Sequence, residues 1–161
     1  MCCQVPHAES VAREYRLGAV RRATNTVMSA LLRLGIPAPQ KTSYLLTTRG
    51  RRTGAERITP VNLVCLDGER FLVSPYGDVG WVHNLRTDQA LRLHRGRHSE
   101  RLVAEEVEAA PAGPILRHYV RQVPITAPFF DAGRDAAVED FVAEAPRHPV
   151  FRLAPPPGPD H

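Results

Sequence analysis

The sequence predicts a mainly β domain with flanking helices, an α+β protein whose core is a small barrel or sandwich. Two observations support this class. Short strand-like runs separated by tight turns fill residues 43–108, which is typical of a small barrel or sandwich. Apolar residues recur at helical spacing before this region, over residues 8–34, and after it, over residues 114–143.

Length and composition predict one soluble domain. The chain has 161 residues, 43% of them hydrophobic and 24% charged, which is enough for a core. We expect a single domain over residues 1–161, with disordered tails at residues 1–7 and 155–161. No apolar run approaches the ~20 residues of a membrane span, and no signal peptide is evident, so we expect a cytoplasmic protein.

The formal net charge of +4 suits an anionic small molecule or a membrane surface. Nucleic acid is not expected, because the strands that carry Arg92, Arg95, Arg97 and Arg101 hold no aromatic residues for base stacking. No metal site is expected either, since the seven histidines and three cysteines lack metal-ligand spacing.

The first predicted helix, over residues 8–34, has an apolar stripe and several arginines outside it. One interpretation is a helix packed on the barrel, with the arginines in water. The other is a basic amphipathic helix that lies on an anionic membrane and makes the protein peripheral to it. The ordinary width of the stripe favours the first.

The remaining elements follow from alternation, turn residues and helical spacing. Strands are predicted at residues 43–48, 57–66, 70–74, 90–94, 97–108 and 150–153, with a short helix at 81–85. Residues 109–111 break the pattern. C-terminal helices are predicted at residues 114–121 and 135–143, the second capped by Asp135, with an apolar loop at 123–130 between them.

The most informative segment is the basic turn between the first two strands. It contains Arg51, Arg52, Thr53, Gly54 and Arg57. Glycine lets backbone N–H groups face a ligand, threonine adds a hydroxyl donor, and each guanidinium can bind two phosphate or carboxylate oxygens. The segment therefore suits an anion cradle. A solvated hairpin turn with its arginines in water is the alternative.

A second segment contains the only tryptophan. If Trp81 opens a short helix, Trp81 and Asn84 share one face. An indole beside an amide suits a flat heterocycle, because one packs against the ring and the other bonds its edge. Alternatively, Trp81 is a core residue and Asn84 satisfies backbone groups.

Together, Gly-Arg-Arg-Thr-Gly-x-x-Arg-x-x-Pro at residues 50–60 and Trp-x-x-Asn-Leu-Arg at 81–86 resemble the deazaflavin-dependent nitroreductase family. The resemblance covers residues 43–108 well, and later segments are similar to an actinobacterial branch of quinone reductases. It implies a split β-barrel, an oxidoreductase activity and the cofactor F420. Some relatives on that side bind fatty acids or associate with membranes, and split-barrel relatives often form homodimers.

The resemblance also assigns roles to residues. The cofactor's phosphate and acidic tail would be bound by Arg51, Arg52, Thr53, Gly54 and Arg57. The ring system would lie near Pro60, Val61, Asn62, Ser74, Trp81 and Asn84. This chain departs from the family at Ser74-Pro75-Tyr76-Gly77, where members often have Ser-Lys-Gly-Gly, so the lysine that would help bind the tail is absent. Nitroimidazole activation is therefore not carried over.

The resulting hypothesis is hydride transfer from reduced F420 to an electron-poor apolar acceptor such as a quinone, an enone or a nitro compound. Tyr76, Tyr119 and the loop at 125–130 would wall the acceptor site, and Tyr76, Tyr119 or water would donate the balancing proton. Helical spacing alone fits a core role for Tyr119 equally well. Two other classes stay open: a non-catalytic binder of fatty acid or lipid, and an FMN enzyme of the same fold.

Overall fold

The computed structural model describes residues 43–158. Its elements in order are β1 (Ser43–Arg49), β2 (Glu56–Leu66), β3 (Glu69–Val73), α1 (Gly80–Thr87), β4 (Ala90–Arg95), β5 (His98–Glu106), α2 (Ala109–Gln122), a 3₁₀ segment (Pro124–Phe129), α3 (Val138–Glu144), a 3₁₀ turn (Ala145–Arg147) and β6 (Val150–Ala154). The predicted N-terminal helix and the tail at 1–7 lie outside the described residues, as does part of the C-terminal tail. That the whole chain forms one domain stays a prediction.

The strands close into an antiparallel barrel in the order β1-β2-β3-β6-β5-β4, and β4 pairs back onto β1. Alternate residues of each strand point into the barrel, as the side-chain period of two requires. They fill it with aliphatic side chains and one phenylalanine: Leu46, Val61, Leu63, Leu72, Leu91, Leu93, Leu102, Ala104, Phe151 and Leu153. The mainly β class with flanking helices is confirmed.

Helix α1 closes one end of the barrel. Its apolar side chains, Trp81, Val82 and Leu85, are buried and belong to the same core cluster. On the polar face of the helix, the Arg86 guanidinium forms two ion pairs, at 2.7 Å from Glu106 of β5 and 3.0 Å from Asp78. The helix that carries Trp81 and Asn84 is therefore fixed both by burial and by ion pairs.

A second core lies outside the barrel, between its β2-β3-β6 face and the helices α2 and α3. It contains Val64 and Phe71 from the sheet, Leu116 and Tyr119 from α2, and Phe141 from α3. Glycine lets α2 and α3 approach closely, since a Cβ on Gly113 would lie 2.4 Å from the Val142 side chain. This layer holds the aromatic residues of the C-terminal third near β2.

Three details of the predicted C-terminal third are wrong. The strand pattern ends before residues 109–111, as predicted, but the helix α2 begins at Ala109 and not at 114; Pro111 is tolerated because it lies in the first turn, where backbone N–H groups have no helical partner. Asp135 does not cap α3, since the N-cap is Ala137 and no side chain caps it. Residues 124–129 form a 3₁₀ segment where a stiff apolar loop was predicted.

Candidate functional site

The turn at residues 50–55, which we call the arginine turn, joins β1 to β2. Its backbone is folded on itself: Gly50 N donates to Ala55 O and Gly54 N donates to Gly50 O, both at 2.8 Å. Gly54 has φ +70°, a conformation that glycine adopts without strain. A Cβ on Gly50 would lie 3.1 Å from Ala55 O, so glycine keeps the turn this compact.

Two consecutive backbone donors of this turn are left for a ligand. Arg51 N donates to Asn84 Oδ1 at 3.2 Å, and Ala55 N donates to Thr53 Oγ1 at 3.3 Å. The N–H groups of Arg52 and Thr53 have no partner among the described residues. Adjacent unpaired N–H groups in a tight turn are the arrangement that binds oxyanions.

A groove of about 670 Å³ opens beside the arginine turn. Arg51, Arg52 and Arg57 line it, are exposed, and form no ion pair within residues 43–158. Glu56 also lines the groove and contributes one negative charge. Three unpaired guanidiniums against one carboxylate make the groove cationic, which fits a phosphate or carboxylate ligand.

The start of α1 forms the other wall of the groove, through Gly80 and Trp81. The first N–H groups of a helix lack helical partners and carry a partial positive charge, and the first turn of α1 contains no acidic residue. The indole of Trp81 is only 7% exposed and lies 5.8 Å from the Phe151 ring, centroid to centroid. Trp81 is thus mainly a core residue that also contributes to the lining of the groove.

Asn84 is buried between the helix and the turn. Its Nδ2 donates to Thr48 Oγ1 at 3.1 Å, while its Oδ1 accepts from Arg51 N. The amide therefore satisfies groups of the protein on both sides and holds the arginine turn against α1. Thr48 was not singled out from the sequence, although it lies at the inward-facing end of β1, two residues from buried Leu46.

Tyr76, Tyr119 and Phe129 lie together at a second place, near Asn62 of β2, which we call the aromatic end. Tyr76 is 37% exposed, and its ring packs edge-on against Phe129 at 4.7 Å between centroids. Tyr119 is 1% exposed, its hydroxyl lies near the side chains of Asn62 and Thr126, and burial, followed by the nearby Tyr76, raises the pKa of Tyr119 well above its usual value. Of the two predicted proton donors, Tyr76 is the accessible one.

The turn that carries Tyr76 is fixed by Ser74. This serine is 1% exposed, its hydroxyl donates to Gly77 O at 2.6 Å, and its backbone N donates to Pro149 O at 2.9 Å. Ser74 thus lies beneath the turn and outside the lining of the cationic groove. Its predicted contact with the cofactor ring stays a prediction.

Two buried titratable residues, Glu144 and His148, lie next to Phe130, which in turn packs near Tyr119 of the aromatic end. Glu144 accepts a hydrogen bond from Ala132 N, and its Oε2 lies 3.3 Å from His148 Nε2. The His148 ring stacks on Phe130 at 4.0 Å. Burial, followed by the Arg147 guanidinium, lowers the pKa of His148 to about 4. Neither Glu144 nor His148 has a sequence motif that could have identified it.

The predicted residues therefore occupy two places linked by β2. Arg57 lies at the cationic groove and Asn62 at the aromatic end, and the five residue steps from one to the other span ~17 Å of strand. Pro60 and Val61 lie between, with Val61 turned into the barrel core. Among residues 43–158 no three His, Cys, Asp or Glu side chains could hold a metal ion. No helix of this range is both long and apolar enough to span a membrane.

Comparison with known proteins identifies the family. A model of the F420H(2)-dependent quinone reductase family matches residues 19–131. No curated protein matches the chain. A solved F420-H2 dependent reductase, FDR-A, is 19% identical with a TM-score of 0.52, over 73% of this chain and 98% of its own.

Two further solved structures share the fold. One is described as a domain-swapped dimer and is 19% identical with a TM-score of 0.54, over 84% of this chain and 96% of its own. The other, Atu2129 from Agrobacterium tumefaciens, has unknown function and is 17% identical with a TM-score of 0.52, over 85% of this chain and 53% of its own. At such identities these structures support the fold alone.

The closed antiparallel barrel has the split-barrel fold, and its cationic groove suits an anionic cofactor. The chain belongs to the F420H(2)-dependent quinone reductase family. It is accordingly an oxidoreductase, and its cofactor is coenzyme F420. The arginine turn fits this cofactor, since its unpaired donors and guanidiniums match a phosphate and an acidic tail.

Proposed function

We propose that the protein reduces an electron-poor, apolar acceptor, with a quinone as the first candidate. When bound, reduced F420 supplies a hydride, which is two electrons and one proton. A second proton from Tyr76 or from water converts the quinone to the quinol and balances the reaction. The observation that carries the proposal is the cationic groove, which is joined by β2 to an aromatic, partly exposed end.

Within this proposal the arginine turn binds the cofactor's charged part. The N–H groups of Arg52 and Thr53 and the guanidinium of Arg57 bond oxyanions there, while Arg51 and its neighbours neutralise the tail. Asn84 holds the turn in place, and the edge of Trp81 covers the groove. Each charge-assisted bond contributes ~1.5–3 kcal/mol, so loss of one guanidinium weakens binding about tenfold or more.

The aromatic end receives the acceptor. Tyr76 and the partly buried Phe129 form its wall, and Ile125, four residues before Phe129 in the 3₁₀ segment, is 74% exposed. Tyr119 is buried behind this wall and packs against it. For Tyr119 to be the proton donor instead, its hydroxyl would have to become accessible to the acceptor. A flat apolar acceptor stacks on such rings without needing a charged partner.

A turnover assay tests the acceptor. Purified protein is mixed with reduced F420, and oxidised deazaflavin is followed with a soluble quinone, an enone and a nitro compound. We expect turnover fastest with the quinone. Tyr76→Phe should lower kcat while leaving the F420 Kd unchanged if Tyr76 donates the proton. Absence of acceptor-dependent oxidation with all three compounds contradicts the proposed reaction.

The other classes are decided by binding. F420, FMN and a fatty acid are titrated separately, and each shift in melting temperature is recorded. The proposal requires F420 to bind more tightly than FMN, and fatty acid binding without F420 binding would favour the lipid-binding alternative. Light scattering on the same sample tests the homodimer that the resemblance implies.

A further inference from the structure

Arg49, Arg92 and Arg101 lie on the outside of the barrel and do not line the cationic groove. Thr47 of β1 pairs with Arg92 of β4, and Arg92 pairs with Arg101 of β5, so their side chains lie in one row on the outer face. Arg49, two residues beyond Thr47, shares this face. Like charges opposed across strands repel, and the ion pair that Arg92 forms within residues 43–158 is long, 3.8 Å to Glu56.

A second groove, of about 500 Å³, lies at this place; we call it the outer groove. Thr47, Arg49, Arg92 and Arg101 all line it. Thr47 is 6% exposed, and its Oγ1 has no hydrogen-bond partner among the described residues. A buried hydroxyl without a partner, next to guanidiniums that repel one another, indicates a place for an oxyanion.

Two carboxylates also line the outer groove, and they leave it with a positive excess. Asp88 accepts a hydrogen bond from Ala90 N at 3.1 Å and so stabilises the start of β4. Glu56 faces Arg92 at the edge. Against these two negative charges stand three guanidiniums, so the outer groove has an excess of one positive charge, which favours an anion.

The outer groove and the cationic groove are neighbours that share one lining residue. Glu56 lines both, and Gly54, which lies between them on the arginine turn, lines the outer one. No atom lies within 4 Å of the position that a Cβ would take on Gly54. A flexible ligand seated beside Arg57 can therefore cross the turn at Gly54 without meeting a side chain.

We infer that the outer groove is a second anion subsite that binds carboxylates of the cofactor's acidic tail. The inference rests on the proposed function, since it needs the cofactor in the first groove. Arg49, Arg92 and Arg101 supply positive charge for these carboxylates from the other side of the turn.

Tail length tests the inference. F420 with a short and with a long oligoglutamate tail is titrated into wild type, Arg92→Gln and Arg101→Gln, with fluorescence quenching as the readout. Each variant should weaken long-tailed F420 roughly fivefold, as expected for one exposed ion pair, and leave short-tailed F420 unchanged. Arg97→Gln, in the exposed β4–β5 turn, is the matched control and should bind both forms like wild type.

Several outcomes overturn the inference. Equal loss for both tail lengths, or no loss for either, means that the outer groove does not bind the tail. If free oligoglutamate binds wild type equally well with and without short-tailed F420, and long-tailed F420 is unaffected, the groove is a separate anion site. Failure of wild type to bind any F420 contradicts the proposed function itself, whereas equal binding of both tail lengths contradicts this inference alone.

Discussion

Both ends of the Asn84 amide are bonded within the protein, and this decides how the residue acts. From the sequence, Asn84 was assigned to the cofactor ring. The structure shows it between Thr48 Oγ1 and Arg51 N, where it orients the turn whose donors face the ligand. An asparagine with this role influences cofactor binding through the backbone, without needing to touch the cofactor.

Thr48→Val tests this role. The change removes the acceptor of Asn84 Nδ2 at nearly constant volume, so the amide can rotate away from Arg51 N. Loss of one such bond costs ~1 kcal/mol, and we expect the F420 Kd to rise roughly fivefold. Thr48→Ser keeps the acceptor oxygen and should bind like wild type. A lowered melting temperature with an unchanged Kd would show that the contact is only structural.

His148 predicts a dependence of stability on pH. Its pKa is about 4 in the folded protein and ~6.5 in an unfolded chain. Between these values the unfolded chain binds a proton that the folded protein excludes, so the free energy of unfolding falls as pH falls from ~6.5 to ~4, by up to ~3 kcal/mol. His148→Asn should remove this part of the dependence. The opposite slope would show that Glu144 holds His148 as an imidazolium.

At the scale of elements, the packing of α2 on α3 depends on one glycine. A Cβ on Gly113 would lie 2.4 Å from Val142 Cγ2 and 3.1 Å from Val138 O. The Val142 side chain is stiff at χ1 and Val138 O belongs to the backbone, so neither atom can move away easily. Close contact between these helices keeps the second core, which lies outside the barrel, packed next to the aromatic end.

Gly113→Ala should therefore destabilise the protein, although alanine favours helices. The steric cost of overpacking, ~1–3 kcal/mol, exceeds the ~0.5–1 kcal/mol gained in helix propensity. Denaturant unfolding measures the difference. Gly133→Ala, where no atom lies within 4 Å of the added Cβ, is the control and should leave stability nearly unchanged. Equal stability of the two variants would contradict the packing of α2 on α3.

The elements that the sequence predicts best are those with local signals. Alternation and the Asp67-Gly68 turn predict β2 and β3 to within about a residue or two, since turn residues set hairpin register. The start of α2 was missed because Pro111 looks like a breaker unless its place in the first turn is known. Glu144 and His148 are only four residues apart, so their contact is local, but their burial could not be predicted, since it depends on packing against Phe130 and Ala132.

The motifs of the site were predicted, but their division into two places was not. The basic and tryptophan motifs stand together because α1 closes the barrel end beside the arginine turn. Tyr76 and Tyr119 come together near Asn62 through the pairing of strands and the packing of α2, which no spacing in the sequence reveals. These contacts join residues that are far apart in the sequence, so they form only when the barrel closes and α2 packs on it.

For the whole molecule, the separation of charged and aromatic ends predicts different responses to salt. Binding of F420 at three exposed guanidiniums should weaken as ionic strength rises, because the Debye length shrinks to about 3 Å at 1 M salt. The KM of an uncharged quinone at the aromatic end should change little. Equilibrium titration and steady-state kinetics over a salt series measure the two effects. Equal sensitivity of both would place the acceptor in the cationic groove.

The central claim is that the arginine turn binds the cofactor, and its most direct test is an equilibrium titration of F420. Wild type is compared with Arg51→Gln/Arg57→Gln and with Arg97→Gln, which removes one charge away from the groove. The account predicts a Kd about a hundredfold higher in the double variant, with one charge-assisted bond lost per site, and no change in the control. Wild-type affinity in the double variant, with the fold intact, would contradict the account.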